Sequence, residues 1–204
     1  MQVKLTGISH VFPGTSDLFH GLSLTLTGGE LVALTGPSGS GKSTLLSLLA
    51  GWEAPTKGVI AWDGVRTVGW VFQNPFGVPG RSAVDHVALP LLAHGVNRKD
   101  ATCQAMELLE RFGLVALARR DYAMLSGGEA QRLMLARAVA KHADLLLVDE
   151  PTAQLDPTAS DTVNRVLAQV TDGTMITVVA THNPETAAAC GKIIDLIHQP
   201  GVLP

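Results

Sequence analysis

The stretch "ELVALTGPSGSGKSTLLSLLAG", residues 30–51, runs from an unbroken apolar segment through a glycine loop into a leucine-rich segment. Leu31 to Leu34 have no polar interruption, the pattern of a strand covered on both faces. Gly36 to Thr44 then match the spacing G-x-x-x-x-G-K-[ST], and "KSTLLSLLAG" reads as a short helix that Gly51 ends. In the order strand, loop, helix, that spacing makes a cradle for phosphate groups. The glycines Gly36, Gly39 and Gly41, with Pro37, Ser38 and Ser40 between them, let backbone N–H groups turn inward. Lys42 reaches the β- and γ-phosphates, and the Ser43 hydroxyl, next to Thr44, can ligate magnesium. A nucleoside triphosphate with Mg²⁺ is the expected ligand.

On the N-terminal side, Leu22, Leu24 and Leu26 alternate with Ser23, Thr25 and Thr27, the period of a half-buried strand, and Gly28-Gly29 turns the chain. This predicts an opening antiparallel sheet. On the C-terminal side, Ala83 to Ala140 is mostly helical in period. Asn97 is placed to cap a helix with Asp100 in its first turn, and Ala105, Leu108, Leu109 and Phe112 share one face. Beyond it come "LLLVDE" as a buried strand and "DPTASDTVNRVLAQV" as a helix capped by Asp156 with Pro157 first. "MITVVATH" and "KIIDLIH" are further strands. Strands alternating with helices predict an α/β core with a parallel sheet, carrying a helical insertion.

The composition narrows the function. A chain of 204 residues, 46% hydrophobic, holds one well-cored domain. A formal net charge of −3, with no basic run longer than Arg119-Arg120, excludes nucleic acid as the main partner. Cys103 and Cys190 stand far apart and read as free thiols of a reducing compartment. "MQVKLTGISH" lacks the apolar core of a signal peptide, and no apolar run approaches the roughly 18 residues of a membrane span. A soluble, cytoplasmic chain is expected.

Three more places carry candidate chemistry. "LLLVDEP" ends a buried strand in Asp149 and Glu150, where the first can bind the magnesium ion and the second can polarise an attacking water. His182, in "VVATHNPE", emerges at another strand end, within reach of a γ-phosphate or its water, although a lone histidine after a strand more often serves structure. Gln73, in "VGWVFQNP", offers an amide able to hold both water and magnesium.

"LSGGEAQR", Leu125 to Arg132, is a second glycine-rich helix start far from the phosphate loop. With it the chain resembles, over nearly its whole length, an ABC-type ATPase subunit. The phosphate loop at 36–44, a Q-loop at Gln73, the signature at 125–132, the Asp149-Glu150 pair, a D-loop around Asp156 and the switch histidine His182 follow the order of that family. The resemblance implies a P-loop NTPase fold. It has a RecA-like parallel sheet core, an N-terminal antiparallel β subdomain and an inserted α-helical subdomain. Residues 1–75 and 141–204 would form the core, and 76–140 the helical part. It further implies head-to-tail dimers, of this chain or of this chain with a similar ATPase. In these Leu125, Ser126, Gly127, Gly128 and Glu129 meet the ATP held by the partner's loop. Glu150, His182 and Gln73 would then be catalytic, and Ser43, Gln73 and Asp149 would hold Mg²⁺. Phe12, in "SHVFPG", sits where family members stack an aromatic ring on adenine.

Within the family, "VALPLLAHGV" and "PTAQLD" look most like the subunits of lipoprotein-releasing and macrolide-export-type transporters. That implies an ATPase on the inner face of the plasma membrane, docked to an integral permease through the surface around Gln73 and the helical insertion. The segment "WDGVRTVGWVFQ" is shorter than the family usually has, and Gln154 is an uncommon D-loop residue. The end at Pro204 leaves no room for an appended regulatory domain, so a motor controlled from elsewhere is expected. An importer-type ATPase is the alternative reading. A small phosphotransferase shares the phosphate loop but gives no reason for Ser126-Gly127-Gly128.

Overall fold

The computed structural model describes residues 1–12, 17–153, 155–170 and 173–196. Gln154, Ile197, His198 and Pro204, singled out above, lie outside them. Strands β1 (Gln2–Val11), β2 (Asp17–Thr27) and β4 (Lys57–Asp63) form an antiparallel sheet in the order β2-β1-β4. The alternation at Leu22, Leu24 and Leu26 is what pairs here, with Leu24 opposite Leu5 and Leu26 opposite Val3. A second sheet has the order β5-β6-β7-β3-β8, from β3 (Leu31–Thr35), β5 (Val68–Val71), β6 (Leu145–Asp149), β7 (Ile176–Ala180) and β8 (Lys192–Asp195). Its four pairings are all parallel, as the alternating pattern required.

The parallel strands are apolar throughout because each face meets a separate core. On β6, Leu145 and Leu147 join a cluster with α1 (Lys42–Leu49) and the antiparallel sheet, while Leu146 and Val148 join the cluster of helices. A fully buried leucine contributes about 1.5–3 kcal/mol by leaving water, so a strand of this type is stabilised from both sides. Helix α1 ends as Gly51 implied. Gly51 has φ of 71°, its N–H donates to Leu48 and that of Trp52 to Ser47, which satisfies the last carbonyls of the helix.

Between β5 and β6 lie α2 (Ala83–Ala93), α3 (Arg98–Arg111) and α4 (Gly127–Ala140). Asn97 caps α3 by accepting from the N–H of Asp100, and Ala105, Leu109 and Phe112 are fully buried. Helix α5 (Pro157–Val170) begins as expected, with the Asp156 carboxylate accepting from the N–H of Ala159 at 3.0 Å. A short α6 (Pro184–Ala188) follows β7. Among the described residues no helix is long and apolar enough to cross a membrane, and both cysteines are free.

Candidate active site

The strand order places the candidate residues side by side. Gly36 follows β3, Gln73 follows β5, Asp149 ends β6 and His182 follows β7, and β5-β6-β7-β3 are consecutive neighbours running the same way. Their carboxyl ends therefore line one edge, spaced at about 4.8 Å per strand, where open parallel sheets hold ligands. A cleft of about 620 Å³ opens there, lined by Phe12, the loop residues Pro37 to Gly39 and Gly41 to Thr44, Gln73, Asp149, Glu150 and His182. Residues far apart in sequence are thus brought to one surface of the fold.

Gly41 shows why the loop needs glycine. Its φ is 88°, and a Cβ there would stand 2.7 Å from the ring of Phe19 and 2.8 Å from Leu18. Next to it, the Lys42 ammonium donates to the carbonyls of Gly36 at 2.7 Å and Pro37 at 3.0 Å, so its charge stays over the mouth of the loop. The Ser43 hydroxyl donates to Asp149 Oδ2 at 2.9 Å. Burial holds the Asp149 carboxyl above its ordinary range, opposed by the bond from Ser43 and reinforced by the charge of Glu150.

These two oxygens test the magnesium expectation. Mg²⁺ prefers hard oxygen donors and takes one or two from protein, the rest from phosphates and water. Among the described residues no group of three His, Cys, Asp or Glu side chains is placed to hold a metal unaided. The contact of Ser43 with a destabilised carboxylate supplies what such an ion needs from the chain.

Glu150 adopts a left-handed backbone, with φ of 46°, which costs a non-glycine residue on the order of 1 kcal/mol. Its N–H is secured to the Ala180 carbonyl at 2.8 Å. The side chain is held equally firmly. Its Oε1 is 2.7 Å from His182 Nδ1, and its Oε2 accepts from the Thr181 hydroxyl at 3.3 Å. Since a carboxylate only accepts, the imidazole carries its proton on Nδ1. Glu150 is 9% exposed and the His182 side chain 65%, so a buried carboxylate touches the cleft through an accessible partner. Such a carboxylate can take a proton from a water positioned in the cleft. Thr181 was missed in the sequence, although it directly precedes His182 at the strand end.

Phe12 is 39% exposed, packs edge-on against His10 at 4.8 Å and lines the cleft. The signature residues do not line it. Leu125 to Glu129 sit at the start of α4, where Ser126 and Gly127 are exposed. The Ser126 hydroxyl accepts from the Glu129 N–H at 3.4 Å, and the Glu129 carboxylate accepts from the Ser126 N–H at 2.7 Å. This reciprocal cap fixes the first turn and occupies the Glu129 side chain within its own chain. The N–H groups of Gly127 and Gly128 remain at a helix N-terminus of positive polarity. Gly128 also approaches Leu155, next to Asp156, since a Cβ there would lie 3.2 Å from its side chain.

One linkage had no recognisable signal in the sequence. The Tyr122 hydroxyl donates to the Pro75 carbonyl at 3.0 Å, and a Cβ on Gly77 would fall 2.4 Å from the Tyr122 ring. His86, which is buried, accepts from the Val78 N–H at 2.9 Å and uses its Nδ1 toward Ser82 O at 2.8 Å. The loop after Gln73 is thereby fastened to the segment leading into Ser126.

A phosphate loop after β3, an acidic pair after β6 and a separate glycine-headed α4 define an ATP-binding cassette. The family model described as "ABC transporter" matches residues 19–153, and the chain belongs to that family. It is 39% identical to the lipoprotein-releasing system ATP-binding protein LolD of Ruegeria sp. (strain TM1040), over 100% of this chain and 97% of that protein. It is 38% identical to LolD 2 of Caulobacter vibrioides, over 95% and 93%. Among solved structures, a dimeric ATP-binding cassette in a post-hydrolysis state bound to ADP and Pi superposes with a TM-score of 0.83 at 27% identity, over 99% of both chains. The chain is an ABC-type ATPase that binds nucleotide, and the phosphotransferase alternative falls.

Proposed function

We propose that two copies of this chain, or this chain and a similar ATPase, close head to tail around two ATP molecules, and that closure drives an integral membrane permease of the lipoprotein-release or export type. The observation that carries this reading is the separation within one chain of the phosphate loop cleft and the exposed Ser126-Gly127-Gly128 helix start. A second chain related by a two-fold axis supplies the missing half of each site.

In that dimer Lys42 and the loop N–H groups bind and orient the phosphates, and Phe12 stacks on the base. Ser43 and Asp149, with Gln73 beside them, would hold Mg²⁺, which neutralises charge on the phosphates when bound. Glu150 accepts the proton of the attacking water, and His182, bonded to it at 2.7 Å, fixes its orientation. The partner's α4 start faces the γ-phosphate with two N–H groups, while Glu129 holds that start in shape and Asp156 anchors α5 beside it. The helical unit, residues 76–140, carries this contact.

A second cleft of about 510 Å³ supports docking to a permease. It lies between the end of β5, α2 and α4, and Phe76 at its rim is 83% exposed. An apolar surface of this kind calls for a protein partner. On this reading the chain works in the cytoplasm, held to the inner face of the membrane by that partner. The test is capture from native membranes by tagged Glu150→Gln with MgATP. Recovery of a permease with few spans and a large extracytoplasmic part supports lipoprotein release or export, a many-spanned permease with a solute-binding partner supports import, and only soluble proteins would refute transport.

A further inference from the structure

His10 is a polar residue in an apolar place. It lies on β1 two positions after Ile8 and opposite Phe19 of β2, and both of these are fully buried. His10 itself is 7% exposed, and neither of its ring nitrogens makes a hydrogen bond with the described residues. Buried polar atoms are nearly always paired, and an aliphatic side chain would fill the position without leaving two of them unmet. The imidazole therefore calls for a role other than packing.

Two contacts indicate that role. The ring stands edge-on to Phe12, with 4.8 Å between centroids and 84° between planes, and Phe12 is the half-buried residue just past the strand end that lines the nucleotide cleft. His10 Nε2 is also 3.6 Å from Oε2 of Glu53, whose side chain is 41% exposed and has room to turn closer. Glu53 belongs to the connection between α1 and β4, which fastens the same strand end a second time, the Thr56 hydroxyl accepting from the Val11 N–H at 3.2 Å. That connection continues α1, whose first residues, Lys42 and Ser43, belong to the phosphate loop. The Phe12 ring and the phosphate loop are thus braced against the two ends of one eight-residue helix, about 12 Å long. Phe19, across from His10, approaches Gly41 of the same loop.

Resting on the reading of Phe12 as the ring that stacks on the base, we infer that His10 is a positioning residue for the nucleotide and that Glu53 sets it. Glu53 accepts from Nε2 and fixes the tilt of the imidazole, and the imidazole fixes the tilt of the Phe12 ring. A ring already held in the stacking orientation loses little freedom when the base arrives, so the arrangement strengthens binding through the base. The phosphates, held by other residues, do not sense it.

The test is calorimetric titration of the full chain with two magnesium-loaded ligands, the non-hydrolysed ATP analogue AMP-PNP and inorganic tripolyphosphate, which has phosphates and no base. His10→Ala should weaken AMP-PNP binding by about three- to tenfold and leave tripolyphosphate binding unchanged. Phe12→Ala should weaken AMP-PNP at least as much, and the double variant no more than Phe12→Ala alone, because His10 acts through that ring. Glu53→Gln, at an exposed carboxylate, should give a smaller loss that disappears in the His10→Ala background. Tripolyphosphate binding shows in each variant that the phosphate loop is folded. Undiminished AMP-PNP binding in His10→Ala, losses that add in the double variant, or an equal loss for tripolyphosphate overturns the positioning role while leaving Phe12 on the base. Unchanged binding in Glu53→Gln removes Glu53 from the arrangement. Undiminished AMP-PNP binding in Phe12→Ala overturns the stacking reading and the inference with it.

Discussion

Nδ1 of His182 lies 2.7 Å from Oε1 of Glu150, so the carboxylate just past the end of β6 is aimed by a residue just past the end of β7. The bond spans adjacent parallel strands, and with Thr181 it leaves Glu150 little rotational freedom. Glu150→Gln should keep ATP binding and lose about 10²–10⁴-fold in turnover, because an amide cannot accept the proton. A variant hydrolysing near the wild-type rate would remove Glu150 from that role.

His182→Ala should lower kcat far more than it raises KM, since it unfastens Glu150 without touching the phosphate loop. Steady-state kinetics with varied ATP separate the two, and a pure KM effect would make His182 a binding residue.

Asp149→Asn separates stability from activity. The Asp149 carboxyl sits above its ordinary range because of burial, so the folded state favours its protonated form. The stability of this group is therefore fully present below its unfolded pKa and lost as pH rises through the raised value. At neutral pH the nucleotide-free variant should melt higher than wild type, by about 2–4 °C for each kcal/mol, and the difference should vanish in acid. ATPase activity should be lost. A lower melting point at neutral pH would contradict this.

Glu129→Ala tests the cap at the signature. The Ser126 N–H holds the Glu129 carboxyl below its ordinary value, outweighing burial, which raises it. Its contribution is present above the usual carboxylate range and fades as pH falls through the lowered value. Denaturant melts at pH 7 should show a loss of about 1 kcal/mol that shrinks below about pH 4.

Tyr122→Phe removes the hydroxyl that fastens Pro75 to the approach to Ser126. Stability should fall by about 1 kcal/mol, and the affinity of the isolated chain for ATP should hold. MgATP-driven dimerisation in a Glu150→Gln background should weaken severalfold by light scattering; unchanged dimerisation would leave the link purely structural.

Most of the fold was legible because its signals are local. The alternation at Leu22, Leu24 and Leu26, the apolar run of 145–148 and the caps Asn97 and Asp156 each depend on a few neighbouring residues. The spacing of the phosphate loop placed Lys42 and Ser43 for the same reason. What stayed hidden depends on tertiary approach. Nothing about Tyr122 or His86 in sequence marks them as holding residues 75–78, because the contacts form only when α2 and the segment before α4 meet.

The central claim is that each ATP is handled by two chains, and mixing two inactive variants tests it most directly. Lys42→Ala disables the loop and Ser126→Arg blocks the helix start. In a mixed dimer the Ser126→Arg chain contributes a sound loop that meets a sound signature from the Lys42→Ala chain. Equimolar mixing should produce MgATP hydrolysis that neither variant shows alone. Mixtures as inactive as the separate variants, although mixed dimers form, would contradict the shared site.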